Sequence, residues 1–254
     1  MLGRGLVFLW SIMLWPTFAC DVETEKSKLK EYQWVTEDYP PYNYRDQQGN
    51  LVGISTDIIV LVYRELSIPL NTKKIIILPW ARLFYNLENY EKFAAFTMMK
   101  TSTRAKKFNL VTFPLKSKVS IMVLQKNYPV LVVKKLSELT IAVVRADIGE
   151  QLLNSTNLAI KPIPTTNANS MLKMLVHQRV DAIAYVEAVA MFQFNKLDFK
   201  DKHLVPLYPL NNGSTPAFVF HKNTPKCVTQ LFTQTLRKLE QQDDLARIWQ
   251  KYIH

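Results

Sequence analysis

The loop Tyr39-Pro40-Pro41-Tyr42 is the stretch of this chain best suited to chemistry, and that chemistry is binding. Paired prolines lack a backbone donor and cannot continue a sheet or a helix. They therefore hold both tyrosines on a stiff loop just after the strand-like run 32–36. Gln48-Gly49-Asn50 is turn chemistry. Ser55 or Thr56 is placed to cap a helix whose apolar residues Ile54, Ile58, Leu61 and Val62 fall at helical spacing. Rigid aromatics at a strand end, facing a helix start, suit the capture of a small polar molecule. Other chemistries find little support. His177, His203, His221 and His254 lack metal-ligand spacing, and no Gly-x-Ser-x-Gly elbow, Walker loop or dinucleotide fingerprint occurs. The expectation is a protein without metal or cofactor.

A chain of 254 residues with 48% hydrophobic content makes one large domain or two small ones with ample core. Scarce glycine and ordinary charge argue against disorder. The formal net charge of +11 is scattered in pairs such as Lys73-Lys74, Lys106-Lys107 and Lys134-Lys135, which read as solvated faces. No aromatics interleave with them as in a nucleic-acid groove, so no nucleic-acid partner is expected. Residues 1–19 have the pattern of a signal peptide: Arg4, a short apolar core at 6–15, Pro16, then Thr17-Phe18-Ala19. The apolar run falls short of the roughly 20 residues that span a bilayer. Cys20 and Cys227 then reach an oxidising space, where a pair tends to form a disulfide. Two alternatives remain at this level: a lipid-modified Cys20, which Thr17 and Phe18 precede poorly, or two separate buried thiols.

These features need a scaffold. Apolar runs at 75–78, 93–99, 120–124, 140–144, 182–186 and 218–220 read as strands. The run 75–78 is continuous and β-branched, as in a parallel strand buried on both faces. Amphipathic stretches at 81–90, 170–178, 229–239 and 245–252 read as helices. Their alternation predicts an α/β architecture with mainly parallel sheets. Proline and small polar residues at 112–118 and 206–216 mark two crossings between lobes, placing 20–115 and 213–254 in lobe 1 and 116–212 in lobe 2. The C-terminal helices then return to lobe 1, where Cys20 and Cys227 meet. Asp181 is expected at a turn, and Asn167 or Asn169 as a helix cap.

Five blocks occur in a telling order: Asp38-Tyr39-Pro40-Pro41-Tyr42 with Gly49-Asn50-Leu51-Val52-Gly53; Pro79-Trp80-Ala81-Arg82; Thr101-Ser102-Thr103-Arg104; Arg179-Val180-Asp181-Ala182; and Ile248-Trp249-Gln250-Lys251-Tyr252. With them the chain, from about Gln33 onward, resembles the bacterial extracellular solute-binding proteins of family 3. The resemblance implies a type II periplasmic-binding fold of two α/β lobes that shut on a solute, without a cofactor. It implies a periplasmic monomer that captures an amino acid or similar carboxylate for an ABC permease. It also implies that Arg104 grips the solute's carboxylate through its planar fork. Tyr39 and Trp80 stack on the solute, Thr101 serves Arg104's motif and caps its helix, and Met99 stands where relatives carry a small hydroxyl residue. The acid that holds the ammonium falls on Val186 in the family pattern; Glu187, one residue on, and Asp147 are the candidates here. Same-fold alternatives are a cyclohexadienyl dehydratase-like enzyme and a sensor without a transport role.

Overall fold

A computed structural model describes residues 20–156, 158–197, 199, 202–211 and 213–252. The expected signal peptide, residues 1–19, lies outside the described residues. The chain begins with α1 (Val22–Lys30), β1 (Gln33–Thr36), β2 (Tyr44–Arg45), β3 (Leu51–Val52), α2 (Ile54–Glu65), β4 (Ile76–Ile77), α3 (Trp80–Asn89), β5 (Phe93–Met99), α4 (Ser102–Lys107) and β6 (Phe108–Thr112). It continues through β7 (Val119–Leu124), α5 (Tyr128–Leu131), β8 (Ile141–Val144), α6 (Ile148–Asn154), β9 (Ile163–Thr165), α7 (Ala168–Val176), β10 (Ala182–Val186), α8 (Glu187–Lys196) and β11 (Leu204–Pro209). It closes with β12 (Pro216–His221), α9 (Lys226–Gln241) and α10 (Asp244–Tyr252).

Two five-stranded sheets result, ordered β4-β1-β5-β12-β6 and β11-β7-β10-β8-β9. The chain passes from the first to the second between β6 and β7 and returns between β11 and β12. The passing segments are stitched together by reciprocal backbone bonds between Ser117 and Ser214 at 2.8 and 2.7 Å. Both sheets are mixed, where the sequence suggested mainly parallel ones: β12 and β7 are antiparallel to both of their neighbours. A strand arriving from the other sheet must run away from the crossing, opposite to strands that run toward it. The carboxyl ends of β1, β4, β5, β8, β9 and β10 consequently all face the region between the sheets. Ligands of open α/β sheets bind at such ends.

Local chemistry departs from the sequence reading in two places. The run 75–78 forms only the two-residue β4, at a sheet edge, with Ile76 45% exposed; among the described residues no further strand covers its outer side. Helix α2 starts after Gly53 without a side-chain cap, and Ser55 and Thr56 lie inside it. The proline loop caps it instead: Ile54 N–H donates to the Pro41 carbonyl at 3.0 Å and Ser55 N–H to that of Tyr42 at 2.8 Å. Gly53 permits this approach, with φ +124° and an ideal Cβ only 2.4 Å from the Tyr42 oxygen. The N–H of Gly53 donates to Tyr252 Oη of α10 at 3.2 Å, which ties the C-terminal helix to the first sheet's lobe. No helix among the described residues is long and apolar enough to cross a membrane.

Cys20 and Cys227 form a disulfide that joins the described N-terminus to α9, with Cα atoms 5.5 Å apart. The bond occupies the Cys20 sulfur that a lipid thioether would need. It closes a loop with a sequence separation of 207, so its reduction is expected to lower the unfolding free energy by about 2–4 kcal/mol. Urea titrations with and without dithiothreitol measure this; coincident midpoints would count against a stabilising bond.

Candidate functional site

Residues from the carboxyl ends of both sheets converge on Arg104. Thr101 caps α4, its Oγ1 accepting from the Arg104 N–H at 3.1 Å. The Arg104 side chain is only 1% exposed. Its Nη1 donates to the Met99 carbonyl at 2.8 Å and its Nη2 to the Ala146 carbonyl at 3.2 Å. The guanidinium carbon lies 4.8 Å from the centre of the Trp80 ring, in cation–π range. Trp80 Nε1 also donates to the Ala146 carbonyl, at 3.1 Å. Ala146 follows β8 with a left-handed φ of +59°, a conformation that a residue with a Cβ adopts at a cost of roughly 1–2 kcal/mol. Bonds from Arg104, Trp80 and Gln151 to that one carbonyl hold it there.

Asp147, next in sequence, is 5% exposed, and its Oδ1 lies 3.9 Å from Arg104 Nη2. Its Oδ2, Arg104 Nε and Tyr39 Oη are buried without a hydrogen-bond partner. Tyr39 stands edge-to-face with Tyr185 of β10, ring centres 5.7 Å apart. Burial pushes the Asp147 carboxyl above its ordinary range, opposed by Arg104. Burial and the nearby Asp147 charge push Glu37 well up, opposed in part by Arg104. Burial, and secondarily Asp147, also raises Tyr39 and Tyr185, so both phenols stay protonated. Beside this cluster opens a cavity of ≈ 700 Å³, lined from one sheet by Glu37 and Trp80 and from the other by Asn167, Asn169, Tyr185 and Lys196.

The side chains singled out from the sequence thus fall into two groups. Arg104, Trp80 and Asp147 pack together, and Tyr39 shares their buried surroundings. Met99 contributes its carbonyl while its side chain lies in the core. Glu187 stands apart: it begins α8 beside the β6–β7 crossing, where Ser120 Oγ donates to its carboxylate. The one-residue offset from Val186 explains this, because Val186 ends the strand fully buried and Glu187 opens the helix. Of the site residues named from the sequence, Trp80 lines the cavity, while Tyr39, Arg104 and Asp147 are buried beside it. Asn167 caps α7 through Oδ1 accepting from Ser170 N–H at 2.8 Å, and it lines the cavity as well. Asp181 accepts from the backbone and hydroxyl of Thr140. Sequence reasoning missed Glu37 and Tyr185. The only local signal was an acidic pair, Glu37-Asp38, between a strand and an aromatic loop.

The raised Glu37 carboxyl has a consequence for stability. The folded chain holds that proton more tightly than the unfolded chain. Its stabilising contribution is therefore complete below the ordinary glutamate value of about 4.3 and disappears as pH rises through the folded pKa. Glu37→Gln is expected to flatten the decline in unfolding free energy between about pH 5 and pH 8, and to exceed wild type at the upper end. Asp147 shares the titration, so the slope shrinks without vanishing. Urea titrations at several pH values test this; equal slopes for the two proteins would refute it.

Comparison with known proteins agrees with this geometry. No curated protein matches the chain at a significant level. Among solved structures, the chain is similar to the arginine-, lysine-, histidine-binding protein ArtJ from Geobacillus stearothermophilus: TM-score 0.75, 17% identity, 88% of this chain and 95% of that one covered. It is similar to the ancestral amino acid-binding protein AncCDT-1, a precursor of cyclohexadienyl dehydratase: TM-score 0.74, 17% identity, 91% and 99% covered. A histidine kinase sensor domain with similarity to periplasmic binding proteins gives TM-score 0.74 at 14% identity, with 88% and 97% covered. At such identities these likenesses establish the fold, which is α/β and of the type II periplasmic-binding kind. The family model that matches spans residues 34–254, and the chain belongs to the bacterial extracellular solute-binding proteins, family 3.

Proposed function

We propose that the protein captures a small polar solute, an amino acid or a close chemical relative, by closing two lobes on it outside the cytoplasm, and delivers it to an ABC permease in the inner membrane. Residues 20–115 with 213–254 make one lobe and 116–212 the other. A signal peptide at 1–19 accounts for export, and the protein works as a monomer. The observation that carries this reading is the set of three unmatched polar atoms, on Arg104, Asp147 and Tyr39, buried where the two sheets' carboxyl ends meet. Buried polar groups in folded proteins normally have partners; a solute supplies them here. Glu37, Tyr39, Trp80 and Asp147 contact it, while Thr101 and Met99 brace Arg104 behind them. Glu187, engaged by Ser120, is left outside the contact set.

Thermal denaturation of the purified protein against panels of amino acids, amines and small organic acids tests the reading. A solute at about a hundred times its Kd stabilises by about 2.7 kcal/mol, which raises Tm by roughly 5–11 °C for a chain of this size. Silence across the whole panel would overturn it. An enzyme reading has one supporting observation: Glu37, its pKa raised, is a carboxyl at a cavity wall able to act as a general acid. Turnover of prephenate or arogenate, lost in Glu37→Gln, would establish that reading instead.

A further inference from the structure

We propose that the solute is recognised as a cation that carries no carboxylate, such as an amine or guanidine, because Asp147 already stands where Arg104 would receive a carboxylate. This rests on the solute-binding reading and narrows its ligand class.

Three observations support it. The first is the geometry of Arg104. Strong recognition of a carboxylate by arginine uses two parallel N–H donors on one edge of the fork. Of the guanidinium's five N–H donors, one on Nη1 is engaged with the Met99 carbonyl and one on Nη2 with that of Ala146, and the Asp147 carboxylate stands beside the same Nη2, Oδ1 at 3.9 Å. Nε lacks a partner, but a solute carboxylate approaching the Nε–Nη2 edge would meet the like charge of Asp147 beside Nη2. The second is charge. Glu37 and Asp147 outnumber Arg104: with Glu37 protonated the cluster is neutral, and Glu37, at the cavity wall, can release that proton to match a bound cation. Lys196 and Asp38 offset each other at the cavity wall. A solute carboxylate would leave an uncompensated anion in a buried place, where unpaired charge is expensive; an ammonium or guanidinium is matched by the ionised Glu37 carboxylate, and the sum stays at zero. The third is the stock of acceptors. Asp147 Oδ2 and Tyr39 Oη are unpartnered at residues 5% and 2% exposed. The Glu37 carboxylate and the Tyr185 ring line the adjoining cavity, an aromatic face suited to a cation.

The test uses pairs of compounds that differ only in the α-carboxylate: cadaverine and lysine, agmatine and arginine, histamine and histidine. Isothermal titration of the wild-type protein is expected to show at least one amine bound about tenfold or more tightly than its parent amino acid. Asp147→Asn, nearly equal in shape, is expected to weaken that amine by about tenfold or more and to narrow the preference. An amino acid that binds wild type as tightly as its decarboxylated partner overturns the inference and leaves the solute-binding reading intact. Preference for an organic acid in the wider panel does the same. No heat from any pair, together with silence across that panel, overturns both. The wild-type comparison stands even if the Asn variant fails to fold.

Discussion

Arg104→Ala is expected to lower the free energy of unfolding by about 3–5 kcal/mol, the usual consequence of stranding one partner of a buried ion pair. Asp147 would keep its burial and lose the guanidinium that now opposes its rise in pKa. Two carbonyls, of Met99 and Ala146, would also lose donors, and the Trp80 ring would lose the cation beside it. The pH dependence separates these causes. With the guanidinium gone, the folded pKa of Asp147 climbs further above its unfolded value. The variant's deficit is therefore greatest above that folded pKa and shrinks as pH falls toward the ordinary aspartate range, where a proton removes the stranded charge. Adding Asp147→Asn to Arg104→Ala is expected to recover a large share of the loss at about pH 8. Urea titrations of both variants and wild type at about pH 5 and pH 8 give the answer. A deficit independent of pH and untouched by the second substitution would mean that lost packing, rather than uncompensated charge, accounts for the effect.

Gly149→Ala should be nearly as damaging, for a steric reason. Gly149 lies in the first turn of α6, where the helix rests directly on β10. An ideal Cβ there would stand 2.0 Å from the Ala184 carbonyl oxygen and 2.8 Å from its carbon. Both are backbone atoms of a fully buried strand, so no side chain can swing aside and the helix must lift. Overpacking of this kind costs about 1–3 kcal/mol and occasionally more; the rigidity of the contact puts this case at about 3 kcal/mol, or roughly 6–12 °C in Tm. Gly49→Ala is the control. Its φ of +81° also disfavours a side chain, but nothing lies within 4 Å of its ideal Cβ. Only backbone strain of roughly 1 kcal/mol is expected there. Scanning calorimetry on the two variants tests the contrast; equal shifts would show that the Gly149 contact relaxes freely. The same close approach seats Asp147, at the entry to α6, among the buried groups around Tyr39 and Tyr185, so Gly149 serves the site as well as the fold.

The residues differ in how far their surroundings could be foreseen. β5 and β10 occupy the spans their apolar runs suggested, 93–99 and 182–186, because burial of a strand's faces is written in successive residues. The motif around Arg104 marked a residue that is indeed buried between the sheets. Glu37 and Tyr185 carried no comparable signal. Tyr185 reads as one more apolar residue in a strand, and Glu37 as a solvated charge at a strand end. Their role depends on the approach of Asp147 and Trp80, dozens of residues away in the chain. Ser55 and Thr56 were sound cap candidates by type, yet the carbonyls of Pro41 and Tyr42 reached the helix start first.

Amino-acid order alone was thus enough for the family and the α/β class, and it singled out Arg104, since all of these rest on local periodicity and on short contiguous motifs. Which carboxylate stands beside that arginine, how its fork is engaged and why each sheet is mixed were settled by the folded chain. Those properties arise where strand ends from two sheets meet, and the packing that joins them is not encoded in any single stretch of neighbouring residues.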